Sequence, residues 1–315
     1  MTGGPTRAEE TGGPPDPGRR RLLKATAVGV GAVGLAAVLP PPAVAADVGE
    51  LAEEHAPDAA LLVDLTKCTG CGSCVAACKL QNGLEWRQDQ PALGPDAALA
   101  SANWSAVRTA GRAPDGDVRY VKTQCLHCLE PACASACFVK ALRKSEAGPV
   151  VYDGARCVGC RYCILACPFG VPTFEWDETF GRIGKCQMCA SRISRGEPTA
   201  CAEACPSGAV SYGTREEMLG LAHERVRTGS GGYVPHVYGE TEAGGTSVLY
   251  VSDVPFETLG FVASAPLKPL PTYTWEIARL LPPIAAGLLA MLVVLHARRQ
   301  RELEHREAER EGVAP

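Results

Sequence analysis

A chain of 315 residues is long enough for one large domain or two of ordinary size. Sixteen Cys stand against 46% hydrophobic and only 6% aromatic residues, so cross-links or inorganic cofactors replace part of the usual packing. A net charge of −4 excludes the basic excess that neutralises nucleic-acid phosphates, and composition alone leaves disulfides, zinc and iron–sulfur open.

In chain order, the first element is a leader over residues 1–45. Arg19, Arg20 and Arg21 precede Leu22-Leu23-Lys24 and a weakly hydrophobic, Ala- and Gly-rich run from Ala25 to Leu39. Ala43-Val44-Ala45 follows as a small-residue site. Arg19 and Arg20 ahead of such a run look like a twin-arginine export signal, a route for proteins that fold and take up cofactors before export. An ordinary secretory signal or a first membrane helix is the rival, but the run is short and Gly-rich against a span of roughly 20 residues.

The Cys-rich body follows. Cys68, Cys71, Cys74 and Cys78 form a C-x2-C-x2-C-x3-C run. Residues 81–117, rich in Ala, Asp and Pro, read as an insertion on a partner subunit or as a plain surface loop. A short strand is expected at 119–123, ahead of the second run, Cys125, Cys128, Cys133 and Cys137. Another strand at 150–152 precedes Cys157, Cys160, Cys163 and Cys167, a bacterial ferredoxin run complete with its proline, Pro168. Cys186, Cys189, Cys201 and Cys205 make the fourth group, with a long middle gap and Pro206 after it. A strand at 209–212 and a capping box of Thr214 with Glu217, opening a helix through about Arg227, come next. The glycines at 229–232 read as a flexible turn.

The C-terminus holds an uncharged stretch from Leu280 to Leu295, with Tyr273 and Trp275 before it and Arg298, Arg299 and Arg301 after it. This predicts a single transmembrane helix at 275–297, aromatic at one interface and basic at the other, with the basic side cytoplasmic. Pro282 and Pro283 are expected to bend it, and a buried helix of a soluble domain is the competing reading. Residues 300–311 alternate Arg and Glu as a solvated helix does.

Sixteen thiolates divide into four [4Fe–4S] clusters with none left over. A C-x2-C-x2-C loop wraps one corner of a cluster, and in two-cluster ferredoxins the last Cys of each run crosses to the partner run's cluster. Gly70, Gly72 and Gly159 suit backbone that comes close to a cluster, with amides free to donate to sulfur. Zinc needs only two C-x2-C pairs and has no use for a third close Cys, though the fourth group leaves zinc open. Disulfides between such near neighbours are poorly placed. His127, between Cys125 and Cys128, is a candidate hydrogen-bond donor or tuner of potential but not a ligand. His296 reads as an interfacial residue or as one facing a quinone or haem. Lys67, Lys79, Lys122, Lys140 and Lys185 read as charged surface, or as cations raising cluster potentials. No Gly-rich nucleotide loop, nucleophile–base pair or carboxylate pair suggests catalysis.

With these groups in hand, the stretch from about Leu61 to Phe261 resembles the four-cluster iron–sulfur subunits of membrane-bound oxidoreductases. His236-Val237-Tyr238-Gly239-Glu240, Gly244-Gly245-Thr246 and Val254-Pro255-Phe256-Glu257 are similar to the hydrogenase-2-type [NiFe] hydrogenase branch. The formate dehydrogenase β subunit is the near alternative. The resemblance implies an α+β fold of two interlocked bacterial 2x[4Fe–4S] ferredoxin-like units plus a single C-terminal transmembrane helix. It divides the chain into the twin-arginine signal (1–45), the four-cluster domain (46–262), a linker (263–274), the membrane helix (275–297) and a cytoplasmic tail (298–315). It implies ligand sets Cys68, Cys71, Cys74 and Cys205; Cys186, Cys189, Cys201 and Cys78; Cys125, Cys128, Cys133 and Cys167; and Cys157, Cys160, Cys163 and Cys137. Lys79 and Phe138 stand where the family often has proline after Cys78 and Cys137, which bears on loop shape and not on ligation.

The function so implied is a non-catalytic electron relay on the periplasmic side of the cell membrane. It links a catalytic subunit, in the favoured case a [NiFe] hydrogenase, to an integral quinone-reactive membrane subunit. A molybdenum or tungsten oxidoreductase is the alternative at the catalytic end. A zinc- or disulfide-stabilised, membrane-anchored interaction protein is the alternative of another class.

Overall fold

The computed structural model describes residues 58–112, 116–229, 232–263, 265–310 and 312, so the expected leader at 1–45 lies outside the described residues. Strand β1 (Ala59–Asp64) reads AALLVD, and all six residues are buried. A run apolar on both faces belongs inside a sheet. The chain continues through α1 (Ser73–Asn82), β2 (Leu93–Gly94), β3 (Ser105–Arg112), β4 (Val118–Gln124), α2 (Ala132–Ser135), β5 (Leu142–Lys144) and β6 (Val150–Tyr152). After these come α3 (Tyr162–Ala166), β7 (Thr173–Phe174), β8 (Ile183–Gly184), α4 (Ala190–Ile193), α5 (Ala200–Glu203) and β9 (Val210–Thr214). The last elements are α6 (Arg215–Thr228), β10 (Val248–Val251), α7 (Leu270–Ala278) and α8 (Leu281–Arg310).

Strand β1 is the middle of three. It runs parallel to β10, with Leu61 opposite Val248, and antiparallel to β9, with Val63 opposite Val210. The two-residue period of a strand sends its side chains to two different layers. Leu61 and Val63 join the main core beside Cys74, Cys125, Cys186 and Cys201. Ala60 and Leu62 meet Met218 and Ala222 of α6 on the other side. The sheet is therefore a wall, with α6 behind it and the thiol groups in front.

The expected strands at 119–123, 150–152 and 209–212 are present as β4, β6 and β9. The segment 81–117 is not an appended insertion. Its β3 pairs antiparallel with β4 from Ser105–Gln124 onward, β2 adds parallel to β3, and Ala92, Val107 and Ala110 enter the main core. Small Ala side chains pack closely enough there to pass, in sequence, for loop. The capping box is present: Glu217 N–H donates to Thr214 Oγ1 at 3.2 Å, and Thr214 N–H to Glu217 Oε2 at 2.8 Å. Replacing Thr214 with Ala is expected to cost about 1 kcal/mol, seen as a fall of about 2–4 °C in unfolding temperature for a domain of this size.

Among the described residues, Leu270–Arg310 is the one helical stretch long and apolar enough to cross a membrane, and none of its apolar window is buried. The helix starts at Leu270, so the end of the expected linker is already helical, and α8 runs unbroken through the charged tail to Arg310. The interruption expected at Pro282 and Pro283 falls just before them, at Arg279 and Leu280. Both prolines sit in the first turn of α8, where the missing N–H costs no helical bond.

Candidate iron–sulfur centre

Every thiol group opens with a C-x2-C turn whose residue before the second Cys is left-handed: Gly70 (φ 72°), His127 (φ 51°), Gly159 (φ 69°) and Met188 (φ 50°). The turn folds amides back on the thiols. Gly159 N–H donates to Cys157 Sγ at 3.4 Å, and Met188 N–H to Cys186 Sγ at 3.2 Å. Gly70 also has no room for a side chain, because a Cβ there would lie 2.5 Å from the Tyr120 ring. The short helices α1, α2, α3 and α5 then bring in Cys74 and Cys78, Cys133, Cys163 and Cys201.

The sixteen Cys are all free thiols. Cys68, Cys71, Cys74 and Cys205 line one cavity together with Lys122. Cys78, Cys186, Cys189 and Cys201 line a second with Met188 and Thr199. Cys128 has Cys125, Cys167 and Cys133 as its charged neighbours. Cys163 has Cys157, Cys160 and Cys137. The four sets form a row, since Cys74 feels Cys201, Cys186 feels Cys125, and Cys133 feels Cys163. At the two ends of that row stand the exposed thiols, Cys71 and Cys160.

The donor chemistry fits a polynuclear cluster. Among the described residues no three His, Cys, Asp or Glu side chains close on a single ion, as zinc requires. The thiols stand around a space and not a point. Burial pushes the Cys74 thiol up to about 11, and the Cys78 and Cys133 thiols up to about 12. A thiolate so placed is stabilised by a metal cation, which outweighs burial.

Three lysines belong to this centre and not to the charged surface expected for them. Lys79, 3% exposed, donates to Glu85 O, Ala102 O and Asn103 Oδ1, each at 2.7 Å, and lies over the Trp86 ring. Lys185 donates to Val150 O and Cys186 O, each at 2.6 Å. Lys122 is buried against Gln124 Oε1. Burial works to lower its pKa, but the charges of Cys201 and Cys74 outweigh that and hold it raised. Lys67 and Lys140 are exposed, as expected. His127 is fully buried, and its Nδ1 accepts from Val150 N–H at 2.9 Å. Burial, with Lys185, Lys144 and Lys122 nearby, holds its pKa well below the usual range. His296 is exposed on α8.

Sequence reasoning missed the polar neighbours of the thiols. Asn82 Nδ2 donates to Cys78 Sγ at 3.6 Å, Ala141 N–H donates to Cys137 Sγ at 3.2 Å, and Thr199 Oγ1 lies 3.5 Å from Cys201 Sγ. Asn82 and Thr199 stand four and two residues from their Cys, a spacing that would have marked them.

Comparison with known proteins points to the same cofactor chemistry. A family model described as "4Fe-4S dicluster domain" matches residues 60–138, and a second of the same description matches 116–215. The "Hydrogenase-2 operon protein HybA" of Escherichia coli O157:H7 is 35% identical over 279 residues, 76% of this chain and 82% of its own length. The "Formate dehydrogenase, nitrate-inducible, iron-sulfur subunit" of Escherichia coli K12 is 33% identical over 210 residues, 63% of this chain and 69% of its own. A protein of Nitratidesulfovibrio vulgaris is 43% identical over 219 residues, and the chain spans 59% of its length.

Proposed function

The chain belongs to the family of iron–sulfur subunits that includes HybA and the formate dehydrogenase iron–sulfur subunits, and from that premise we propose that it is the non-catalytic relay between a catalytic oxidoreductase subunit and a quinone-reactive membrane subunit. It is an electron-transfer subunit carrying four [4Fe–4S] clusters. The ligands are the four thiol sets, so that the first run shares its clusters with the fourth group and the second with the third. Two interlocked ferredoxin-like units result. When bound, the clusters supply one-electron chemistry. The chain supplies their spacing, their burial and the hydrogen bonds and buried ammoniums around their sulfurs.

One observation carries this reading: the thiols form a row with a single exposed member at each end, Cys71 and Cys160. A relay needs two surface ends and a shielded middle. Large apolar side chains stand exposed at the Cys160 end, with Tyr162 and Leu165 following it in the chain and Phe180 lining a cavity with Cys157 and Gly159. Exposed apolar area of this kind is the mark of docking surfaces. The membrane helix leaves from the second half of the row, because α7 packs against α2, which carries Cys133. Electrons therefore leave towards the membrane from the half that holds Cys160.

The leader at 1–45 acts as a twin-arginine signal, and the domain at 46–262 faces the periplasm, with the basic tail at 298–315 inside. The catalytic partner is a [NiFe] hydrogenase, since the HybA similarity extends over 76% of the chain. A formate dehydrogenase is the second reading, favoured by a Haemophilus influenzae relative, "Formate dehydrogenase iron-sulfur subunit", that matches over 78% of the chain at 31% identity. Metal analysis of the complex, purified anaerobically through a tag on this subunit, tests both. Nickel beside abundant iron and acid-labile sulfide is the expected result. Molybdenum or tungsten without nickel overturns the hydrogenase partner and keeps the relay.

A further inference from the structure

The left-handed position before the second Cys is glycine in the two outer loops, at Gly70 and Gly159, and a bulky side chain in the two inner ones, at His127 and Met188. A non-glycine residue held there is strained. At His127 that strain comes with a second departure. The ring is fully buried, its Nδ1 accepts from Val150 N–H at 2.9 Å, and its Nε2 has no hydrogen-bond partner among the described residues. A ring nitrogen that accepts from an amide is unprotonated, so the proton of the neutral imidazole sits on Nε2. The chain thus buries an N–H donor and leaves it without an acceptor. Such a group destabilises the fold unless something accepts its proton.

His127 lies between Cys125 and Cys128 in the turn, and both Cys belong to the third thiol set. The same residue, Val150, accepts from Lys185 Nζ through its carbonyl at 2.6 Å, and Lys185 precedes Cys186 of the second set. One residue therefore holds two polar groups, one from the segment of each inner thiol set. We propose that His127 Nε2–H donates a hydrogen bond to a sulfur of the cluster held by Cys125, Cys128, Cys133 and Cys167, and that this bond raises the potential of that cluster. The proposal rests on the ligand sets proposed above. A donor to sulfur stabilises the added electron of the reduced form, so its loss lowers the potential.

His127→Asn separates this role from a packing role, because the Asn oxygen reaches the place of Nδ1 and keeps Val150 N–H satisfied while the distal donor is gone. His127→Gln reaches further and restores a donor near Nε2. In EPR-monitored redox titrations of the purified complex, His127→Asn should lower the reduced-to-oxidised ratio of one cluster about tenfold at fixed poise, equal to 59 mV for a one-electron couple. His127→Gln should recover most of it. In the wild-type complex labelled with [15N]histidine, pulsed EPR of the reduced state should show a nitrogen coupling that His127→Asn abolishes. If the Asn variant loses iron, the wild-type coupling decides. Full iron content without a histidine coupling, or an Asn variant with unchanged potentials, overturns the hydrogen bond alone. A wild-type chain short of four clusters overturns the ligand assignment beneath it.

Discussion

Replacing Cys78 and Cys186 together with Ala is expected to remove one cluster, while replacing Cys78 and Cys68 together removes two. Cys68 and Cys78 are ten positions apart in one run, yet Cys78 lines the cavity of Cys186, Cys189 and Cys201, and Cys68 that of Cys71, Cys74 and Cys205. Substitutions within one site are non-additive and those in separate sites add. Iron and acid-labile sulfide per chain give the readout: about twelve iron atoms remain in the first case and about eight in the second, at four per cluster. The reverse pattern would show that each run binds its own cluster and would sink the crossing of the runs.

The second large effect is expected at Lys122. Its ammonium is buried beside Cys74, Cys186 and Cys201, between the first two thiol sets. Lys122→Met keeps most of the volume and deletes the charge. A unit charge about 8 Å from a cluster, at an effective dielectric near 20, is worth about 2 kcal/mol. That converts to a fall of about 90 mV in a one-electron potential. Both flanking clusters should become harder to reduce, and the two at the far end of the row should hardly change. Redox titration followed by EPR reads this directly. Equal shifts in all four, or none, would show that the charge is neutralised locally and has no such role.

The thiol groups were legible because a cluster imposes short, fixed spacings on the chain, and no packing argument is needed to see them. Of the hairpin β3–β4, strand β4 was legible and its partner β3 was not. The hairpin's buried apolar residues are Ala106, Val107, Ala110 and Val121, and residues that small give no apolar alternation strong enough to stand out from loop. The status of the lysines was hidden for a different reason. A Lys beside a Cys is written the same way whether it reaches solvent, like Lys67, or folds back onto three oxygens, like Lys79, and only the tertiary neighbours Glu85, Ala102 and Asn103 decide. Strands β1 and β10 went unread because they become a pair only across most of the chain. The partition of the thiols was open to reasoning by resemblance alone, since spacing says that four sulfurs meet without saying which four.

That long-range pair has a consequence for biosynthesis. Leu61 waits for Val248, 187 positions later (248 − 61), and at about 5–20 residues per second the delay is about 10–40 s. During it the apolar strand AALLVD trails from the ribosome with neither β9 nor β10 to cover it, an unpaired edge of the kind that recruits other chains. Cys68, Cys71 and Cys74 meanwhile lack Cys205. The nascent chain therefore needs shelter first and iron afterwards, and the supply of metal has to be timed to the end of synthesis.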